Sequence, residues 1–142
     1  MRKYWILLVI AAFLASCGGS RLTKGDDLLQ EGNLDEALNA YQDVLKEEPT
    51  DDERQEAQGR IAICYYRKGM NDLDAKKTDN AIVNFKKSGN KYSCGKLATI
   101  YFNKGNELFT ASKYKEASEN YQLSGEYSDK GSLTRESGLD EK

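Results

Sequence analysis

The chain has no histidine, one proline and only three cysteines among its 142 residues. Without histidine the usual general base near neutral pH is missing, the commonest metal ligand is missing, and neither a Ser-His nor a Cys-His nucleophile pair can be built. An excess of one charge is absent too. Twenty-one basic residues stand against 23 acidic ones, a balance that supplies no field for attracting nucleic acid. Long apolar runs are missing apart from one, YWILLVIAAFLA at residues 4–15, which as a helix would extend about 18 Å and fall short of the roughly 30 Å hydrocarbon core of a bilayer. What remains, 39% apolar and 31% charged residues, is the balance of one small helical domain.

The apolar run follows Arg2 and Lys3 and ends in small residues, the layout of a secretory signal, which is set aside in reasoning about the fold. Its last residues, Leu14-Ala15-Ser16-Cys17, resemble the lipobox of bacterial lipoproteins. The resemblance implies transfer of diacylglycerol to the Cys17 sulfur, cleavage just before Cys17 and acylation of the new amino group. Residues 1–16 are then a lipoprotein signal peptide and 17–24 a lipidated cysteine with a short tether; loss of Arg2 and Lys3 leaves 19 basic against 23 acidic residues. Two or three acyl chains anchor durably where one does not. Gly18 stands where the family's inner-membrane signal has aspartate, so in a Gram-negative host the resemblance implies the outer membrane, facing the periplasm.

Residues 65–131 repeat themselves. Tyr65, Lys68, Gly69, Ala75, Lys77, Ala81, Asn84, Ser88, Gly89 and Gly95 recur 36 positions later as Tyr101, Lys104, Gly105, Ala111, Lys113, Ala117, Asn120, Ser124, Gly125 and Gly131, and Phe85 faces Tyr121. An earlier copy shares the spacing through Gly25, Leu28, Gly32, Leu34, Ala37, Tyr41, Val44 and Pro49. The pattern resembles the tetratricopeptide (TPR) repeat, in which a small residue on the first helix, a turn glycine, an alanine and an aromatic on the second helix and a closing proline recur. The fold this implies is all-α: a TPR-like solenoid of about three helix pairs over residues 25–125, stacked in a right-handed superhelix, with 126–142 a capping helix or a disordered tail. Lys76 and Ser112 replace the turn glycine, and no proline closes the later copies.

Spacing adds detail. Ala37 to Ala81 is 44 residues against 36 from Ala81 to Ala117; the surplus fits one long inner helix from about Asp51 to Ala75, unless Gly59 breaks it. Asn33 with Glu36 and Thr50 with Glu53 have the spacing of capping boxes. "YSDKGSL" from Tyr127 echoes "YSCGKL" from Tyr92, as a truncated fourth inner helix would. A polar end of this kind either caps the stack or stays disordered.

In TPR proteins the first helix of each pair lines a concave face. Matching positions hold Leu22, Asp26 and Leu29; Ile63, Tyr66, Met70 and Leu73; Thr99, Phe102, Asn106 and Phe109. Tyr66, Met70, Leu73, Phe102, Asn106 and Phe109 are the candidate partner-binding residues, since aromatic and apolar side chains anchor peptides and helices. They read equally well as core. The family's carboxylate clamp needs lysines, asparagines and an arginine where this chain has Leu22, Asp26, Arg67, Thr99 and Asn103, so chaperone-tail recognition is not expected.

Cys64 and Cys94 are expected to be buried thiols, because successive inner helices hold them at different heights. The acidic clusters lack a calcium-loop pattern, "CGGS" lacks the glycine and lysine spacing of a phosphate loop, and no Ser-Lys pair stands out. No enzyme, cofactor, metal or nucleic-acid role is expected. The expected function is a membrane-anchored TPR lipoprotein acting as a protein–protein interaction adaptor or scaffold in the bacterial cell envelope. Its partner would be membrane-proximal, and an exposed solenoid end would also allow a homodimer. The alternative is a small-ligand-binding envelope lipoprotein with a pocket between Tyr66, Phe102 and Phe109.

Overall fold

The computed structural model describes residues 21–136; Cys17 and the expected signal peptide at residues 1–16 lie outside the described residues. Six helices follow one another: α1 (Thr23–Glu31), α2 (Leu34–Lys46), α3 (Asp51–Asp74), α4 (Thr78–Ser88), α5 (Lys91–Thr110) and α6 (Tyr114–Glu136). Each packs mainly on its neighbours in the chain, so the contacts run along a stack, as in a solenoid.

Three copies of one contact hold the pairs together. A Cβ on Gly69 or Gly105 would stand 2.6 Å from a ring carbon of Phe85 or Tyr121, and one on Gly25 would collide with the Tyr41 ring in the same way. The glycine is therefore a seat for the aromatic sixteen residues later. Ser88 and Ser124 repeat a second link, each donating from Oγ at 2.8 Å, to the carbonyls of Ala62 and Ala98. Ala37, Ala81 and Ala117 are buried where the helices approach.

The apolar residues gather in two clusters. Leu22, Leu29, Leu34, Leu38, Tyr41, Val44 and Cys64 form one, and Ile82, Phe85, Leu97, Ile100 and Tyr101 the other. Between them runs α3, whose 24 residues continue through Gly59 without a break, the first of the two placements that the surplus spacing allowed.

Turns within a pair and turns between pairs differ. Within a pair the backbone folds into one repeated shape: the N–H of Asn33, Lys77 and Lys113 donates to the carbonyl of Leu28, Asp72 and Leu108, and residue 32, 76 or 112 is left-handed, with φ of 85°, 59° and 61°. This six-to-one bond with a left-handed residue is the Schellman turn. It fixes Asn33 at ψ 67°, so the capping box expected with Glu36 does not form; the Asn33 side chain donates to Glu31 instead. Between pairs a left-handed residue, Glu48 with φ of 50° or Gly89 with φ of 66°, is followed by an extended one at the start of the next helix, with ψ of 164° at Thr50 and 166° at Asn90. There the side chains do cap. Thr50 and Glu53 form the expected box, and Asn90 Oδ1 accepts from the Ser93 N–H.

No turn follows the third pair. Gly89 and Asn90 end α4 and start α5, but the matching Gly125 and Glu126 lie inside α6, because glutamate is a poor N-cap where asparagine is a good one. Residues 126–136 thus continue the outer helix, and the break expected at residue 125 is absent. Tyr127 stacks on Tyr101 with centroids 5.7 Å apart and planes 7° from parallel, which holds this extension along the first half of α5. Residues 137–142 lie outside the described residues.

Candidate partner-binding surface

The six candidate residues divide into two sets of different burial. Spacing of four and seven places Phe102, Asn106 and Phe109 on one face of α5. Phe102 is 52% exposed and Phe109 57%. Their support comes from α6: the Phe102 ring lies 5.7 Å from that of Tyr121, and Phe109 meets Tyr114 nearly edge-on at 5.4 Å. Asn106 accepts at 2.8 Å from the Tyr121 hydroxyl, whose ring rests against Gly105. The result is an uncharged stripe of aromatic rings held at fixed angles, so little side-chain entropy is lost when something covers it.

Tyr66, Met70 and Leu73, the matching residues of α3, are half-buried against the second core cluster. Tyr66 lies 5.8 Å from the Phe85 ring and 6.2 Å from Tyr92. The next pair leaves this set partly accessible, and Leu73 also lines a cleft.

The earlier positions serve structure as well. Leu22 is 1% exposed. Asp26 Oδ1 accepts from the Tyr41 hydroxyl at 2.7 Å and from Arg60 Nε at 2.5 Å. Burial pulls the Asp26 carboxyl upward, but Arg60 and Tyr41 outweigh it and hold it below the usual carboxylate range. Arg67, the one charge matching the carboxylate clamp, donates to the Leu29 carbonyl at 3.0 Å at the end of α1.

Two clefts lie elsewhere. One of about 720 Å³ opens between the α3–α4 turn and α5, lined by Leu73, Lys76, Lys77, Asp79, Ile100 and Lys104 among others. Another of about 610 Å³ runs between Tyr92, Gly95 and Ala98 of α5 and Ser128, Gly131 and Ser132 of α6. Tyr66, Phe102 and Phe109 line neither, so a pocket between those three aromatics has no counterpart in these clefts. Cys64 carries a fully buried thiol that forms no disulfide with Cys94, and burial, reinforced by the Asp26 charge, pushes it up to about 11. Among the described residues no group of three or more His, Cys, Asp or Glu side chains could hold a metal ion, and no helix is long and apolar enough to cross a membrane.

Sequence reasoning overlooked Tyr114, 61% exposed, and Leu133, 65% exposed. Tyr114 lies five residues beyond Phe109, across the turn at Ser112, a spacing that signals two rings brought together. Comparison with curated proteins and with solved structures gives no match. Residues 28–78, from α1 through the start of α4, match the family model of the tetratricopeptide repeat. The fold is a TPR-like helical solenoid, and the repeat family that residues 28–78 match in general mediates contacts between proteins.

Proposed function

We propose that this protein is a lipid-anchored adaptor of the bacterial cell envelope, tethered through Cys17 and gripping a protein partner with the exposed aromatic stripe of α5. The observation that carries the adaptor reading is the pair Phe102 and Phe109, each more than half exposed on a helix whose other large apolar side chains are mostly buried. An apolar stripe rimmed by polar residues is costly to leave in water and marks a contact surface. The tether rests on the lipobox-like Leu14-Ala15-Ser16-Cys17. From Cys17 to Gly25 is a reach of at most roughly 25 Å, which favours a partner that is itself membrane-bound or membrane-proximal, in an outer membrane facing the periplasm. The adaptor acts by binding alone, without catalysis or a cofactor.

Crosslinking in the native host followed by mass spectrometry tests the grip. A partner peptide linked to α5 should appear with the wild type and fall away with Phe102→Ala and Phe109→Ala; equal recovery from all three would overturn the assignment of the surface. Growth with labelled palmitate tests the tether separately. Label should enter the wild type and not Cys17→Ala, and an unlabelled, freely soluble mature wild type would overturn it.

A further inference from the structure

The repeat itself shows what the bare stripe on α5 is shaped to receive. Tyr66, Met70 and Leu73 precede Phe102, Asn106 and Phe109 by 36 positions and occupy the same turns of their helix. They are half-buried, packed against a cluster to which the next inner helix contributes Leu97, Ile100 and Tyr101. Among the described residues no inner helix follows over Phe102 and Phe109.

A partial copy of that following helix is present in the same chain. Gly131 and Leu133 stand 36 positions after Gly95 and Leu97, and Tyr127-Ser128 repeats Tyr92-Ser93. Leu97, a member of that cluster, is 1% exposed, whereas Leu133 is 65% exposed. The two halves of this contact cannot meet within one chain. Because α6 runs through Gly125 unbroken, Gly131 is pinned beside Cys94 and the Lys91 carbonyl, and Phe109 lies fifteen residues beyond Cys94, about 22 Å further along the helix.

We propose that a second copy of this chain is the occupant: the Leu133 face of α6 from each copy covers the Phe102–Phe109 stripe of the other. A two-fold axis makes both contacts at once and leaves neither half bare, the closed isologous arrangement in which each patch meets its complement. A related packing is present within the chain, where Tyr66, Met70 and Leu73 of α3 lie against the cluster that holds Leu97, Ile100 and Tyr101 of α5. The proposal rests on the reading of this stripe as a protein-contact surface and names its partner.

The test uses the full chain purified in detergent. Two differently tagged copies are co-expressed, one carrying Phe109→Cys and the other Leu133→Cys, and exposed to a mild oxidant. A disulfide linking the two tags should exceed by about tenfold that formed when Val83→Cys, on the exposed side of α4, replaces Phe109→Cys. In sedimentation equilibrium Phe109→Lys and Leu133→Lys should each weaken the dimer by about tenfold or more; both positions are exposed, so unchanged thermal unfolding shows that the fold is intact. A monomer at about 100 μM, linkage equal to the Val83→Cys control, or a dimer indifferent to Leu133→Lys would each overturn the proposal. A different protein crosslinked to the stripe of a monomeric chain would overturn it too, and would leave the adaptor reading standing.

Discussion

Gly69→Ala is the sharpest perturbation that the packing of the helix pairs offers. A Cβ at Gly69 would stand 2.6 Å from Cε1 and 2.7 Å from Cδ1 of Phe85, where carbon atoms settle at about 3.5–4.0 Å. Phe85 is fully buried and has no solvent to swing into, so the ring and α4 must move by close to an ångström within a close-packed interior. Overpacking of this kind costs about 1–3 kcal/mol, and a clash with a locked ring belongs in the upper half of that range. Alanine also favours the helix over glycine by about 1 kcal/mol. Gly59 isolates that second effect, because it lies in the same helix and a Cβ there meets nothing within 4 Å. The two alanine variants should therefore differ by the clash alone, about 2–3 kcal/mol, which for a chain of this size is on the order of 10 °C in Tm. Thermal unfolding followed by far-UV circular dichroism should show Gly59→Ala above the wild type and Gly69→Ala below it. In a Phe85→Leu background the penalty of Gly69→Ala should shrink, since the obstructing ring is gone. A Gly69→Ala protein that melts as high as Gly59→Ala would refute the idea that this glycine exists to seat the aromatic.

Four further outcomes follow from the same geometry. Lys76 and Ser112 hold the left-handed turn position with φ of 59° and 61°, so Lys76→Gly and Ser112→Gly should each stabilise by about 1 kcal/mol and Gly32→Ala should destabilise by a similar amount, measured by urea unfolding. Ser93 Oγ is buried without a hydrogen-bond partner at the place where the preceding repeat has the fully buried Ala57; Ser93→Ala should raise stability by about 1 kcal/mol, and a loss of stability would reveal a bond that the packing does not show. The Asp26 carboxyl is held below its usual range, so its contribution is present above the unfolded pKa of about 3.9 and is lost as pH falls through the lower folded value. The stability gap between wild type and Asp26→Asn should therefore be wide at pH 7 and narrow on acidification below about pH 4, and a gap that widened there would contradict the Arg60 pairing. With its thiol pushed up to about 11, Cys64 is thiolate in only about one molecule in a thousand at pH 8; alkylation of Cys64 should require unfolding, and fast labelling in the native protein would show that it is not buried.

Phe102 and Tyr66 show how much of the binding surface could be read before the structure. They occupy the same place in successive repeats and are similar aromatic residues, yet one is open and the other half-buried. The difference comes from the copy that follows, and no property of either residue reports it. Asn33 and Thr50 differ for a related reason: both begin sequences with capping-box spacing, but Asn33 emerges from a Schellman turn that sets its ψ at 67°, whereas Thr50 is itself extended with ψ of 164°.

The one-dimensional pattern by itself determined the helical class and the stacking of pairs, because both depend on spacing along a helix and on side-chain size, which are local quantities; that the glycines seat the aromatics, and that α3 passes Gly59 unbroken, came from the structure. The tertiary structure alone decided that Tyr66, Met70 and Leu73 are half-buried and that Phe102, Phe109 and Leu133 are left more than half exposed. Exposure is a relation between segments distant in sequence, set by which neighbour arrives to cover a face, and a repeat repeats its residues without repeating its neighbours.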